Sequence, residues 1–326
     1  MMRSLVTGAA GFIGSTLVDR LLADGHQVIG VDNGSSGVID NLDDAQRVNE
    51  ACRRRFTLIE VDLQAPELIG IVAGANPDIV FHLAGQAQFD TSLLDPVFDA
   101  RSNVLGTINL CEAMRLSGVR RIVYAASGDT RYGSSDLPLV DENAPTDPRS
   151  PHAAGKVAVE GYLRAYAARY GLAPTSLALG TVYGPRQMPR SGGVVAALFD
   201  AAMTGNSCTV CPDAAEAYDL VYVDDVVDAF LLAGRAPVTV TGTYNIGSGQ
   251  LTTATEVRKL ICAALGGSSS HVYGTAGRIR GVAMNRTKAE IELGWTPDVD
   301  LAEGIRRTAQ WPRALDRSAA PVSVVA

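Results

Sequence analysis

The chain has 326 residues, 47% of them hydrophobic and 19% charged, with 35 acidic against 28 basic side chains and a net charge of −7. This is a globular composition, long enough for about two domains, and its acidity argues against a nucleic-acid partner. No run approaches the ~18 apolar residues of a membrane span, and Met1-Met2-Arg3-Ser4 leads into strand-like sequence without an apolar signal core, so neither membrane insertion nor export is expected and the cytoplasm is the expected compartment.

In chain order, residues 3 to about 180 alternate short β-branched apolar runs with longer segments of helical period. That rhythm predicts an α/β Rossmann architecture, a doubly wound parallel sheet. Strands are expected at Ser4–Thr7, Gln27–Asp32, Phe56–Asp62, Asp78–Ala84, Arg121–Ser127 and Thr175–Gly180, several of them continuously apolar as doubly covered strands should be. Helices are expected near 12–24, 95–115 and 152–170. Ile13, Leu17, Leu21 and Leu22 form a stripe on the first, and Val157, Tyr162, Tyr166 and Tyr170 one on the last, each a core or interface face. Beyond 180 come helices near 193–204, 252–265 and 301–310, a short helix from about 224, and a strand at Tyr244–Gly247. The expected division is a Rossmann domain over 1–180, a smaller mixed α/β, mainly substrate-binding domain over 181–313 with some strands returning to the first sheet, and a frayed tail over 314–326. Five scattered cysteines (52, 111, 208, 211 and 262) offer no disulfide framework, and none of four isolated histidines (26, 82, 152 and 271) sits beside a second ligand type at a metal-binding spacing. Cys208 and Cys211 have a C-x-x-C spacing but no second pair, so no metal site is expected.

The strongest motif is Thr7-Gly8-Ala9-Ala10-Gly11-Phe12-Ile13-Gly14, between a predicted strand and a predicted helix. Glycines at this spacing let the backbone turn tightly, approach a pyrophosphate and aim the free N–H groups of the helix at it. The next strand ends in Val31-Asp32, 24 positions after Gly8. A carboxylate there accepts both hydroxyls of an adenosine ribose and repels a 2′-phosphate, which favours NAD over NADP. Asp62, closing the third strand, is placed to meet the adenine amino group.

The G-x-x-G-x-x-G register resembles the extended short-chain dehydrogenase/reductase family, in particular its NAD-dependent sugar-nucleotide epimerases and dehydratases. The resemblance runs through Asp32-Asn33, Ser35-Ser36-Gly37, Phe81-His82-Leu83-Ala84, Asn103-Val-Leu-Gly106-Thr107, Tyr132-Gly133, Ser150-Pro151, Lys156, Val182-Tyr183-Gly184-Pro185-Arg186-Gln187, Val223-Asp224-Asp225-Val226 and Asn245-Ile246-Gly247. The branch it is most similar to is the UDP-glucose 4-epimerases of actinobacterial type. It implies an isomerase, with NAD bound by Gly8, Ala10, Gly11, Phe12, Ile13, Asp32, Asn33, Ser35, Ser36, Asp62, Leu63, Leu83, Ala84, Gly85, Gln86, Asn103, Ala125, Lys156 and Val182. It also implies a UDP-hexose substrate and a homodimer formed through the helices near 95–115 and 152–170.

That family places a Tyr-x-x-x-Lys pair on one helix face, where Lys lowers the tyrosine pKa and the phenolate removes the sugar hydroxyl proton while C4 gives up hydride. Here Lys156 matches, but the tyrosine position is His152. Imidazole suits proton transfer near neutral pH. On accepting a proton, however, it becomes a third cation beside Lys⁺ and nicotinamide⁺, each repulsion costing on the order of 3 kcal/mol at ~5 Å and an effective dielectric of about 20. Three outcomes stay open: a slow epimerase in which His152 or Thr130 relays the proton, an altered chemistry such as dehydration or net oxidoreduction, and an NAD or nucleotide-sugar binder without turnover. The family hydroxyl that bonds the reacting oxygen falls on Ser127 or Thr130. Asp129 matches the acid of the dehydratase branch, whereas Thr130 replaces its glutamate. On the sugar-nucleotide side Thr181 replaces the usual asparagine and Tyr218 the usual diphosphate-gripping arginine, a contact tyrosine cannot reproduce. Arg280 matches a second diphosphate arginine, and Arg186 or Arg190 lies in a loop expected to face the cleft.

Overall fold

The computed structural model describes residues 2–51, 55–133, 139–189, 193–204, 216–267 and 281–311. The first half runs β1 (Arg3–Thr7), α1 (Phe12–Ala23), β2 (Gln27–Asp32), α2 (Asp43–Ala51), β3 (Phe56–Glu60), α3 (Leu68–Ala75), β4 (Ile79–His82), α4 (Phe89–Leu94) and α5 (Pro96–Ala100). A single π-helical stretch, Arg101–Leu105, joins α5 to α6 (Gly106–Ser117), and β5 (Arg121–Ser127), α7 (Pro151–Tyr170) and β6 (Ala173–Leu179) follow. The remainder is β7 (Thr181–Tyr183), α8 (Val194–Thr204), β8 (Ala217–Tyr222), α9 (Val223–Arg235), β9 (Gly242–Ile246), β10 (Leu251–Thr253), α10 (Ala254–Ala264), α11 (Thr287–Leu293) and α12 (Leu301–Ala309).

Seven strands form one parallel sheet in the order β3-β2-β1-β4-β5-β6-β9. Its central strands are buried on both faces, which is why their sequences read as unbroken apolar runs. One face is covered by α1 and α9 through Leu17, Leu21, Val226 and Phe230, and the other by α3, α6 and α7 through Val72, Leu110, Met114, Val159 and Leu163. The chain direction across the sheet reverses between β1 and β4, and this switch point opens a crevice at the carboxyl ends of the strands. A second sheet, β10-β8-β7, packs with α8, α10 and α12 around Tyr183, Phe199, Tyr222, Val257 and Ile305. The seam between the two sheets is closed by the Asp219 carboxylate, 1% exposed, which accepts from the backbone N–H groups of Ser248, Gly249 and Met284.

Several expectations change in detail. The helix expected over 95–115 is α5, a π-turn and α6 in succession. The helix from 224 is not short: α9 has 13 residues and its Val226, Val227 and Phe230 are fully buried. The inner face of α7 is Ala153, Val159, Leu163 and Tyr166, while Tyr162 and Tyr170 turn outward. Cys208, Cys211, Arg190, Arg280 and the tail over 314–326 lie outside the described residues. Among the described residues no helix is long and apolar enough to cross a membrane.

Candidate active site

At the switch point the glycine loop is packed backbone against backbone. Gly8 has a left-handed φ of +71°, and a Cβ there would lie 2.7 Å from the Ala84 nitrogen. A Cβ on Gly14 would lie 2.0 Å from the Gly8 carbonyl oxygen. Helix α1 starts after Gly11 with no side-chain cap and no acidic residue in its first turn, so its free N–H groups are available to an anion.

Asp32, at the end of β2, is 9% exposed and accepts from Ala10 N and Gly34 N, both at 2.9 Å. It therefore ties the glycine loop to the sheet as well as facing the crevice. Asp62 accepts from Asn33 Nδ2 at 2.7 Å and from Gln64 N at 2.8 Å, and Asn33 Oδ1 accepts from Ser35 N. These bonds join the Asn33–Ser36 and Asp62–Leu63 segments at one rim. Phe12, Ile13 and Val182 pack against the core of the second unit and close the opposite wall.

Beneath the crevice lies a polar chain that the sequence motifs do not reveal. Ala84 N donates to Thr7 Oγ1, which sits 2.8 Å from His82 Nδ1; His82 Nε2 sits 2.8 Å from Thr107 Oγ1, whose hydroxyl donates to the Asn103 carbonyl. With the Thr107 proton committed, Nε2–H is the donor and Nδ1 accepts from Thr7. Burial holds this imidazole neutral, its pKa pushed down to about 3. It fixes the ends of β1 and β4 and the π-turn against one another.

The π-turn carries Asn103, whose Nδ2 donates to the Gln86 carbonyl and to Asp99 Oδ1, both at 3.0 Å. Its Oδ1 is buried without a partner, and a Cβ on Gly85 would lie 2.4 Å from it. Ser150 caps α7 by accepting from Ala153 N, and Pro151 occupies the first turn. His152 thus stands in the first turn and Lys156 one turn on, along the same face. Lys156 Nζ donates to the Ala125 carbonyl at 3.1 Å and lies 5.1 Å from the centre of the Tyr124 ring. Burial lowers its pKa to about 8, opposed by Asp99. The His152 imidazole, 12% exposed, has Nδ1 3.7 Å from Oδ1 of the buried Asp99. Burial first, then Lys156, lowers its pKa to about 4, and a hydrogen bond involving the Gln86 backbone acts the other way.

At the end of β5, Ser127 Oγ donates to Asp129 Oδ1 at 2.7 Å and lies 2.6 Å from Thr130 Oγ1. Because the Ser127 proton goes to the carboxylate, Thr130 is the donor to Ser127. The two alternatives for the family hydroxyl are therefore one hydrogen-bonded pair. Thr181 Oγ1 donates to Asp129 Oδ2 at 3.4 Å. Tyr218, on β8, spends its hydroxyl on Glu216. Arg186 departs from expectation: its guanidinium is held by Asp19 of α1 at 2.6 Å, with Asp44 at 3.6 Å, and does not stand free in the cleft.

The residues present fit a dinucleotide on structural grounds. The loop has no room for side chains at Gly8 and Gly14, the start of α1 is uncapped, a carboxylate closes β2, and Gly85 is flanked by the unpartnered Asn103 Oδ1 and by Lys156 Nζ. Comparison with known proteins agrees. The NAD dependent epimerase/dehydratase family matches residues 4–247. The chain is 43% identical over 315 residues to a UDP-glucose 4-epimerase of Mycolicibacterium smegmatis, covering 96% of this chain and 99% of that one. It is similar to the crystal structure of a Thermotoga maritima UDP-glucose 4-epimerase with UDP-glucose (TM-score 0.85, 36% identity, 96% of this chain and 99% of that chain). A Thermus thermophilus UDP-glucose 4-epimerase in complex with NAD matches with TM-score 0.84 at 36% identity, over 96% of this chain and 99% of that chain. A crevice shaped for a dinucleotide and likeness over nearly the whole length together establish that the chain belongs to the NAD-dependent epimerase/dehydratase family, with NAD as its cofactor.

Proposed function

We propose that the protein inverts C4 of a UDP-linked hexose, with UDP-glucose and UDP-galactose as the exchanging pair, through a 4-keto intermediate. The observation that carries this reading is the placement of His152 one turn before Lys156, whose ammonium bonds the Ala125 carbonyl two residues before Ser127. When bound, NAD would supply the acceptor for the C4 hydride and the donor for its return.

The chain's own residues do the rest. Gly8, Ala10, Gly11, Phe12 and Ile13 receive the pyrophosphate, Asp32 the adenosine ribose, and Asn33, Ser35, Ser36, Asp62 and Leu63 the adenine end. Leu83, Ala84, Gly85, Gln86, Asn103, Ala125 and Val182 surround the nicotinamide half, with Lys156 on its ribose. With substrate bound, one hydroxyl of the Ser127–Thr130 pair turns from its bond within the pair or to Asp129 and donates to the reacting oxygen. His152 is neutral at pH 7 and takes the C4 hydroxyl proton on Nε2. A base with a pKa near 4 lies well below the optimum for proton transfer at neutral pH, so slow turnover is expected. Thr181 and Tyr218 border the sugar-nucleotide side.

Leu94, Val97, Phe98 and Tyr162 are 86, 59, 45 and 43% exposed on α4, α5 and α7. Such an apolar surface supports a homodimer through these helices, measurable by light scattering.

The test is incubation of the NAD-loaded protein with UDP-glucose, and separately with UDP-galactose, followed by chromatography alongside His152→Tyr. Interconversion by the natural protein establishes the activity. Turnover by the tyrosine variant alone identifies the natural protein as a binder with its base removed, and turnover by neither rejects the substrate assignment.

A further inference from the structure

The proton acceptor of the proposed reaction has a neighbour with no assigned task. His152 Nδ1 is buried without a hydrogen-bond partner, and the nearest charge that α5 presents to it is Asp99, 1% exposed, with Oδ1 at 3.7 Å. The other groups facing the ring are the Lys156 ammonium on its own helix, which disfavours a charged ring, and the Gln86 backbone after β4, whose hydrogen bond favours one. Asp99 is itself held in place by Asn103 Nδ2.

We propose that Asp99 is the positioning residue for His152: its carboxylate holds the imidazole in the Nδ1–H tautomer, leaves the Nε2 lone pair for the substrate, and offsets the charge the ring acquires. This rests on the reading of His152 as the proton acceptor. A neutral imidazole has one N–H and one lone pair, and whichever nitrogen faces a carboxylate retains the hydrogen. Closing 3.7 Å to hydrogen-bond length takes a movement of under about 1 Å. In the oxidative half-reaction the C4 O–H bond breaks and its proton joins Nε2, while the C4–H bond breaks and its electron pair leaves as hydride to the cofactor. The ring is then an imidazolium between an ammonium and a carboxylate. Without Asp99, two cations stand side by side with no counter-charge from α5. The reverse step returns proton and hydride, so nothing is consumed.

Two readouts test this. Long-range ¹H–¹⁵N spectra of histidine-labelled, NAD-loaded protein at pH 7, with His152 identified by its loss in His152→Gln, report the tautomer directly. The Nδ1–H form is expected in the natural protein and its loss in Asp99→Asn. An Nε2–H ring in the natural protein, or an unchanged ring in Asp99→Asn, overturns the proposal. The second readout is a double-mutant cycle in the UDP-glucose assay. Asp99→Asn is expected to lower kcat by at least about tenfold with His152, one pKa unit of lost interaction, and to change it much less beside His152→Tyr. An equal loss in both backgrounds overturns the proposal, because Asp99 then acts only by supporting Asn103 and Lys156. If no form turns over while the tautomer responds as expected, the pairing stands and the epimerase reading is what fails. Asp99→Ser carries the same comparisons if the asparagine variant does not fold.

Discussion

Replacing Asp32 with asparagine separates two jobs that the structure gives to one carboxylate. Its oxygens accept from Ala10 N and Gly34 N at 2.9 Å each, and the side chain is 9% exposed. Asparagine keeps one carbonyl acceptor but sets an amide N–H₂ against the second donor. One charge-assisted bond, worth about 1.5–3 kcal/mol, is lost before any ligand binds. At roughly 2 °C per kcal/mol for a chain of this length, the ligand-free protein should melt ~3–6 °C lower. Loss of the charged acceptor for the ribose hydroxyls should weaken NAD by about 10–100-fold on the same scale. Thermal unfolding without ligand, with calorimetric titration of NAD and NADP, measures both. A ligand-free melting temperature within about 1 °C of the parent would refute the loop-tying role, since each kcal/mol should move it further than that. Tighter NADP binding at unchanged stability would leave the carboxylate with the ribose alone.

Gly14→Ala places a Cβ 2.0 Å from the Gly8 carbonyl oxygen, backbone that cannot swing aside, and should cost at least about 3 kcal/mol in urea unfolding. Gly70→Ala, on α3 with nothing within 4 Å, should instead stabilise by about 0.5–1 kcal/mol, and equal effects of the two would refute the packing argument. Arg186→Ala should lower stability by about 1–2 kcal/mol by unpairing the half-buried Asp19, while leaving the KM for a nucleotide sugar unchanged. A large rise in KM would return Arg186 to the substrate. For pH, the His152 pKa falls from 6.5 unfolded to about 4 folded, so below pH 6.5 the unfolded chain binds the proton first. The ring contributes nothing above pH 6.5 and removes up to about 1.4 kcal/mol of stability for each unit of pH between 6.5 and 4. The urea midpoint of His152→Gln should therefore fall less than that of the parent between pH 6.5 and about 5; parallel curves would show that the ring is not held neutral.

The sheet was legible because its strands are buried on both faces and leave period-free apolar runs such as Val28–Val31. The pyrophosphate loop was legible because close backbone approach demands glycine. Less could be read where a residue's partner is remote in sequence. Asp32 reads as a ribose acceptor, yet its bonds to Ala10 and Gly34 become visible only when β2 and the loop are adjacent. Arg186 reads as a free cation until Asp19, 167 positions earlier, is placed beside it. β7 and β10, three residues each, are too short for a pattern, and α2, mostly polar with Val48 its single large apolar residue, has little apolar stripe to detect. Asp99 carried a faint signal, its four-residue spacing from Asn103, but a helical spacing alone does not say which face turns inward. The tyrosines of α7 illustrate the same ambiguity: Tyr166 is buried while Tyr162 and Tyr170 are half exposed.

The π-turn at Arg101–Leu105 works as a phase correction between two helices. In an unbroken α-helix residues eight apart are rotated by about 80° relative to each other, so Asp99 and Thr107 would diverge. One widened turn takes up the surplus and brings Asp99, Asn103 and Thr107 into a single column, bonded in sequence from side chain to side chain and from side chain to backbone. Winding 101–105 as a regular α-helix at unchanged length should turn Asp99 away from His152, whereas deleting one residue there leaves Asp99 and Thr107 seven apart, within about 20° of one column, and should keep both seated. The alignment of the site thus depends on how this segment is wound as much as on the identity of its side chains.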